Sequence, residues 1–289
     1  MIHYLKRKDI DIVKYDACIE AALNSRIYAY SWYLDIVADN WDVLVLNDYE
    51  AVMPLPWRQK YFIKYIYPPA WTQQLGVFSS FKIEAYVVRQ FINAISKKFK
   101  KITVQFNAEN DVSSFKTEKR TNYILKLDKP FEEIYKGFNK NRKRDIKKAE
   151  TEKYSIDKEI SADEFLYFYL NEPKNYQLRQ EQITTIKALL KANNKAVYIW
   201  GIRVDEKLIA SIVWLKDANR ITYILPIATI QAKEKGLPTL LISNLIKEHQ
   251  NSNLMLDFEG SMIEGVADFY RSFGVKDESY FLFQKNFNY

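Results

Sequence analysis

The chain has 289 residues, 48% hydrophobic and 27% charged, a balance that suits a soluble globular protein and a length that suits two cores. Lys and Arg number 43 against 36 Asp and Glu, and the resulting charge of +7 favours an anionic partner such as phosphate, nucleotide, RNA or an anionic surface. One cysteine, Cys18, excludes an internal disulfide, no stretch approaches the roughly 18 to 20 apolar residues of a membrane span, and the cytoplasm is the expected setting.

In chain order, a helical stretch is expected near Tyr15 to Val37. A strand pair, Asp42 to Leu46 and Ala51 to Leu55, follows around the turn Asn47-Asp48-Tyr49-Glu50. The alternating aromatic segment Tyr61 to Tyr67 reads as a third strand, stopped by Pro68 and Pro69. Apolar residues at Tyr86, Val87, Phe91, Ala94, Ile95 and Phe99 have helical spacing, and Lys101 to Phe106 is then a strand. The second half repeats this order. Ala196 to Arg203 and Leu208 to Leu215 form a hairpin, Ile221 to Ala228 a strand, Leu237 to His249 a helix and Leu254 to Phe258 a strand. A last helix, Glu264 to Phe273, leads into the terminal strand Ser279 to Phe287. The reading is a mixed α/β fold of two similar halves, 1–128 and 129–289, with Pro130 placed to open the helix after the boundary.

The histidines, His3 and His249, stand beside no GxSxG, HExxH or paired Cys, so a covalent Ser–His mechanism and a zinc hydrolase are both poorly supported, and no metal is expected. The loop Lys233-Glu-Lys-Gly-Leu-Pro238 lies between a strand and a helix, where unpaired N–H groups and the helix dipole suit phosphate. Gly236 would let the backbone approach closely, and Lys233 and Lys235 add charge, while Glu234 works against it and Pro238 removes one donor. Strand alternation puts Leu254, Leu256 and Phe258 on one face and Met255 and Asp257 on the other, with Glu259 at the strand's exit. At such an exit a sheet usually binds ligand. Structural roles compete: a hydrogen bond for Asp257, a helix-start charge for Glu259, core packing for Tyr270.

On a helix beginning near Phe131, Arg142 interrupts the apolar stripe Phe131, Ile134, Tyr135, Phe138, Ile146 and Ala149. An inward Arg requires an anion, either a carboxylate or a ligand phosphate. In the first half, Tyr67-Pro-Pro-Ala-Trp-Thr-Gln-Gln-Leu-Gly76 takes the place of the phosphate loop without clustered charge. It suits an acceptor cleft, with Trp71, Gln73 and Gln74 as candidates, or a structural rim.

Lys233, Gly236 and Pro238 stand at the marked positions of a loop that resembles the Arg/Gln-x-x-Gly-x-Gly/Ala signature of the GNAT acyltransferase superfamily, departing from it at two of three. ADFYRSFGVK, Ala267 to Lys276, resembles that superfamily's late aromatic-Tyr segment, with Tyr270 at the tyrosine position. FNKNRKRDIKKAE, GLPTLLISNLI and LDFEGSMIEGVADFYRSFG resemble more closely the Fem-like branch, which has two GNAT-type halves and includes peptidoglycan aminoacyl transferases. The resemblance implies direct acyl transfer from a thioester or ester to an amine. Ile227, Ala228 and Thr229 would hold a pantetheine arm, and Lys233, Lys235, Gly236, Leu237 and Pro238 a pyrophosphate. Tyr270 would be the general acid, and Glu259, or else Asp257, the base that an attacking amine requires.

The donor implied first is acetyl-CoA or another acyl-CoA, and the acceptor an amine on a small molecule or a peptidoglycan precursor. The second reading is a Fem-type transferase using aminoacyl-tRNA. The basic helix fits that reading, but Ser161 to Asn194 lacks a pair of long heptad helices for a tRNA-binding arm. The third is a non-catalytic pair of GNAT-like halves that binds a ligand or partner.

Overall fold

The computed structural model describes all residues except 175, 193, 194, 262, 288 and 289. The chain forms two compact units, Met1–Thr121 with Glu278–Tyr289, and Asn122–Asp277.

The first unit contains β1 (Ile2–Lys6), α1 (Ile12–Ala21), α2 (Ser31–Val37), β2 (Asn40–Leu46), β3 (Ala51–Lys60), β4 (Ile63–Ile66), β5 (Phe78–Ser79), α3 (Ala85–Ala94) and β6 (Phe99–Phe106). β7 (Thr117–Lys126) carries the chain into the second unit, and the final strand β12 (Lys276–Asn286) ends in the first. The sheet runs β1-β2-β3-β4-β6-β12, and its neighbours are antiparallel except β4 and β6. Val87, Val88, Phe91 and Ile92 put the apolar stripe of α3 onto this sheet, over Met53, Leu55, Phe99 and Ile102.

The second unit continues with α4 (Phe131–Lys136), α5 (Lys140–Thr151), α6 (Ala162–Asn171), α7 (Gln180–Lys191), β8 (Val197–Val204), β9 (Lys207–Lys216) and β10 (Arg220–Ala228). α8 (Ile230–Glu234), α9 (Leu237–His249), β11 (Met255–Asp257) and α10 (Glu264–Arg271) complete it. The strand order is β7-β11-β10-β9-β8, with β10 and β11 parallel. α9 is buried almost all round, from Leu237 through Leu240, Leu241, Leu245 and Ile246, as befits a helix with apolar residues on every side.

Several elements differ from the sequence reading for identifiable reasons. The single helix expected from Phe131 is two, because the chain turns at Gly137 and Asn139 accepts a hydrogen bond from Arg142 N–H as the N-cap of α5. Tyr61 and Phe62 are the turn between β3 and β4 rather than strand. The boundary also differs from Asp128–Pro130. Lys126, Leu125 and Ile124 pair with Met255, Leu256 and Asp257, which ties them to the second unit, while Phe281 to Asn286 pair with β6 in the first. Sheet hydrogen bonds join residues far apart in sequence, so the second unit does not extend to the C-terminus. Between Ser161 and Asn194 lie the ten residues of α6 and the twelve of α7, with Asn193 and Asn194 outside the described residues.

Candidate functional site

β10 and β11 are partners over only three residues, Arg220 to Thr222 against Met255 to Asp257. β11 then stops, while β10 continues to Ala228 through an irregularity between Tyr223 and Leu225. The parallel strands therefore part at their C-terminal ends, and this parting defines the candidate cleft. Thr229 N–H donates to Ile209 C=O, which fixes the phase of the ladder: Ile227 and Thr229 turn their backbone groups to β9, and Pro226 and Ala228 turn theirs to the open edge. Pro226 has no N–H. Of Ile227, Ala228 and Thr229, only Ala228 thus offers its backbone to the cleft.

Asp257 sits at the root of this cleft with both carboxylate oxygens engaged, which weighs against its use as a base. Its Oδ2 accepts from Arg220 Nη1 at 2.8 Å, and its Oδ1 from Asn122 Nδ2 and from the N–H of Glu259, both at 2.9 Å. Asp257 and Arg220 are each 1% exposed at the side chain. Alternation does separate Asp257 from Leu256 and Phe258, but both faces of this central strand are covered, so the carboxylate required a buried cation.

The Asp257 hydrogen bond sets the following turn. Glu259 and Gly260 have φ of 58° and 62°, a left-handed pair that swings the chain from β11 toward α10. Glu259 is half-buried there. Its carboxylate acts on Tyr270, whose phenol is pushed above its ordinary value first by burial and then by Glu259. Tyr270 is 7% exposed, with its ring 5.0 Å from that of Phe258 and edge-on to Tyr223 at 6.1 Å. Burial raises Tyr223 strongly as well, and among the described residues nothing hydrogen-bonds its hydroxyl. Glu259, Tyr270 and Tyr223 thus form one cluster. Tyr223 escapes a sequence reading because one tyrosine in an apolar strand looks like core; its position one residue past the last β10–β11 pair is what sets it apart.

The loop assigned to pyrophosphate is differently built. Thr229 caps α8 through Ala232 N–H, and the N–H groups of Lys233, Lys235 and Gly236 donate to Thr229, Gln231 and Lys233 carbonyls, each at 3.0 Å. Lys235 is paired with Glu152 and the Tyr154 hydroxyl, and Lys233 is exposed. Gly236 has φ 77°, and a Cβ there would lie 2.7 Å from Asp145 Cβ and its carbonyl oxygen. The glycine therefore serves the close passage of α5. Leu237 is buried, and Pro238 opens α9.

Asp145 supplies the anion at this helix end. Its Oδ2 is 3.0 Å from Arg142 Nη2 and accepts from Thr239 Oγ1 at 3.3 Å, and Thr239 Oγ1 in turn accepts from Arg142 Nη1 at 3.0 Å. A carboxylate beside the first turn of α9 satisfies the helix dipole that a phosphate would otherwise use. The anion sought for Arg142 is thus a carboxylate of its own helix. The guanidinium also lies 4.6 Å from the Phe269 ring, beside Tyr270.

In the first unit, β4 and β6 are the corresponding parallel pair, and their parting is closed by the chain itself. Leu75 forms an isolated parallel bridge with Phe106, with N–H and C=O bonded to Gln105 and Asn107. Gln105 Nε2 donates to Gln73 C=O, Gln74 is buried with its amide on Gln73 Oε1, and the Tyr33 hydroxyl donates to Trp71 C=O. Trp71, Gln73 and Gln74 therefore form a plug between strands, which weighs against their use as an acceptor wall.

No family model and no curated protein sequence matches the chain. Solved structures do. FemX aligns with a TM-score of 0.73 at 8% identity, covering 96% of each chain. A conserved protein of unknown function from Bacteroides thetaiotaomicron aligns at 0.63 and 14% identity, over 98% of this chain and 99% of that one. A tandem GNAT protein from the clavulanic acid biosynthesis pathway aligns at 0.54 and 11% identity, over 99% and 98%. The chain has a tandem GNAT fold. Within it, the similarity to FemX over nearly the whole length gives the fold its Fem-like form.

Proposed function

We propose that the protein transfers an acyl group to an amine at the cleft where β10 and β11 part. The observation that carries this reading is the Tyr270 hydroxyl, buried against Phe258 and Tyr223 with its proton held more tightly than an ordinary phenol's. The attacking amine forms the C–N bond and gives up a proton, taken by Glu259 directly or through water. The acyl–oxygen or acyl–sulfur bond breaks, and the leaving atom receives the Tyr270 proton. Tyr223 lies within the same cluster, suited to orient the acyl carbonyl.

The donor we favour is an oxygen ester of the aminoacyl-tRNA kind, with a peptidoglycan-precursor amine as acceptor. A departing alkoxide is basic enough to draw a proton from a phenol of raised affinity. A thiolate is the weaker base of the two leaving groups and so depends less on that proton. The loop 233–238 supports the same choice, because the N–H groups of Lys233, Lys235 and Gly236 are spent on its own turns and Asp145 is kept at the helix end. Lys140, Arg144 and Lys147 of α5 are exposed and provide charge for a nucleic acid. Acyl-CoA is the second reading, favoured by the open backbone edge at Ala228, where a pantetheine amide would pair. A non-catalytic role is the third.

The test is calorimetric titration with an aminoacyl-RNA minihelix and with acetyl-CoA, followed by single-turnover transfer to an amine. Minihelix binding that weakens steeply with salt, together with transfer lost in Tyr270→Phe, supports the ester reading. Micromolar acetyl-CoA binding without minihelix binding replaces it with the acyl-CoA reading. Binding without transfer in any pairing leaves the non-catalytic one.

A further inference from the structure

The hairpin between β3 and β4 ends in a two-residue turn, Tyr61-Phe62, between the partners Lys60 and Ile63. Both turn residues have positive φ, 47° and 66°. This backbone belongs to Asn-Gly or Asp-Gly, and bulky side chains adopt it only under strain. The β8–β9 hairpin of the same chain provides an internal comparison. Its turn, between partners Val204 and Lys207, has φ of 48° and 61° and carries Asp205-Glu206, polar residues that belong in water. The first-unit hairpin bends the same way and holds Tyr61 82% exposed, Phe62 95% and Ile63 38%. These rings bury little surface in the fold and strain its turn. Such an outlier points to function.

The surroundings of the tip are basic. Lys60 and Lys64 flank it, with their ammonium groups over the Tyr61 and Trp57 rings at 5.3 and 4.6 Å. β4 and β6 are parallel, so the start of β6 lies at the same end of the sheet, bringing exposed Lys97, Lys98 and Lys101. The Lys98 ammonium is pushed down first by burial and then by Lys64 and Lys6, against the pull of Asp42, so these charges share one field. Asp39 and Asp42 at this end are engaged, Asp39 by Arg58 at 2.8 Å and Asp42 by Tyr4 and by Lys98 at 3.8 Å.

We infer that the Tyr61-Phe62-Ile63 tip, with its lysine collar, docks the protein on an anionic phospholipid surface. The two aromatic rings and Ile63 enter the boundary between headgroups and acyl chains, and the lysines stay among anionic headgroups. Attachment is peripheral, since among the described residues no helix is long and apolar enough to cross a membrane. The charge complementarity selects this occupant: an apolar protein groove would take the rings but has no use for a ring of lysines around them.

The experiment is co-sedimentation with vesicles of phosphatidylcholine, with and without phosphatidylglycerol, at low and high salt. The principal variant is Tyr61→Asn with Phe62→Gly, which installs the turn pair this backbone prefers and so preserves the fold. Wild type is expected to partition onto phosphatidylglycerol vesicles at low salt, and the variant to lose roughly tenfold or more of that partition. Lys60→Glu with Lys64→Glu should abolish the preference for anionic lipid. In Phe62→Trp, vesicles should shift the indole emission to the blue relative to the same protein in buffer. Equal partition of wild type and the turn variant overturns the proposal, as does no partition at low salt. Self-association that the turn variant loses, without vesicle binding, assigns the tip to a second copy and also overturns it.

Discussion

Arg220 donates to Asp257 at 2.8 Å at the root of the cleft, and water reaches neither side chain. This pair fastens the first paired residue of β10 to the last residue of β11, and through Asp257 Oδ1 it holds the N–H that begins the Glu259 turn. Arg220→Met leaves a buried carboxylate without its cation and should cost about 3–5 kcal/mol. Urea denaturation measures the loss. A change below about 1 kcal/mol would show that the pair is replaceable.

Tyr270→Phe removes one hydroxyl and little packing, so the unfolding midpoint should stay close to wild type. Turnover should fall by a factor on the order of 10² to 10⁴ if the phenol donates the proton. Unchanged turnover in a folded variant removes Tyr270 from the chemistry.

Glu259 adopts a left-handed backbone, so Glu259→Gly relieves strain while deleting the carboxylate. Equal or higher thermal stability is expected, together with a loss of turnover and of its acidic limb. Retained activity with that limb intact would place the base elsewhere.

Gly236→Ala puts a methyl 2.7 Å from the Asp145 backbone at a φ of 77°. About 1–3 kcal/mol of destabilisation is expected, read as a lower urea midpoint. Asp145→Asn keeps the shape and weakens the anion at α9, and it should raise the affinity for a phosphate-bearing ligand if that helix end is where one binds. No change in affinity would separate the donor from this loop.

The pH dependence has two parts of opposite direction. Tyr15, Tyr223 and Tyr270 all hold protons more tightly folded than unfolded, with burial the first cause of each. Their stabilisation is complete below about pH 10, the unfolded value, and is lost as pH rises through the folded values. His249 is pushed down by burial, with its ring edge-on to Trp214 at 5.3 Å. Its contribution is present above about pH 6.5 and is lost as pH falls toward the folded value. Urea midpoints across pH should show both limbs, and His249→Gln should remove the acidic step alone.

Helical and strand periods locate most elements, because they report burial of one face, and the helical period from Leu237 to His249 coincides with α9 at both ends. The residues Glu259, Tyr270 and Arg142 were legible as a strand exit, an aromatic helix and a break in an apolar stripe. Their partners were not. That Asp257 faces Arg220 across the sheet, 37 positions away, follows from strand pairing and leaves no local trace.

The sequence by itself determined the mixed α/β class, the order of strands and helices from β8 through β10 to α9, β11 and α10, and the acidic turn after β11, all consequences of local patterning and turn chemistry. Tertiary structure alone decided that Gly236 serves α5, that Arg142 is answered by Asp145, and that Tyr223 stands beside Tyr270. Those outcomes depend on which distant groups meet in a low-dielectric interior, where a buried charge or hydroxyl is defined by its neighbour and not by its position in the chain.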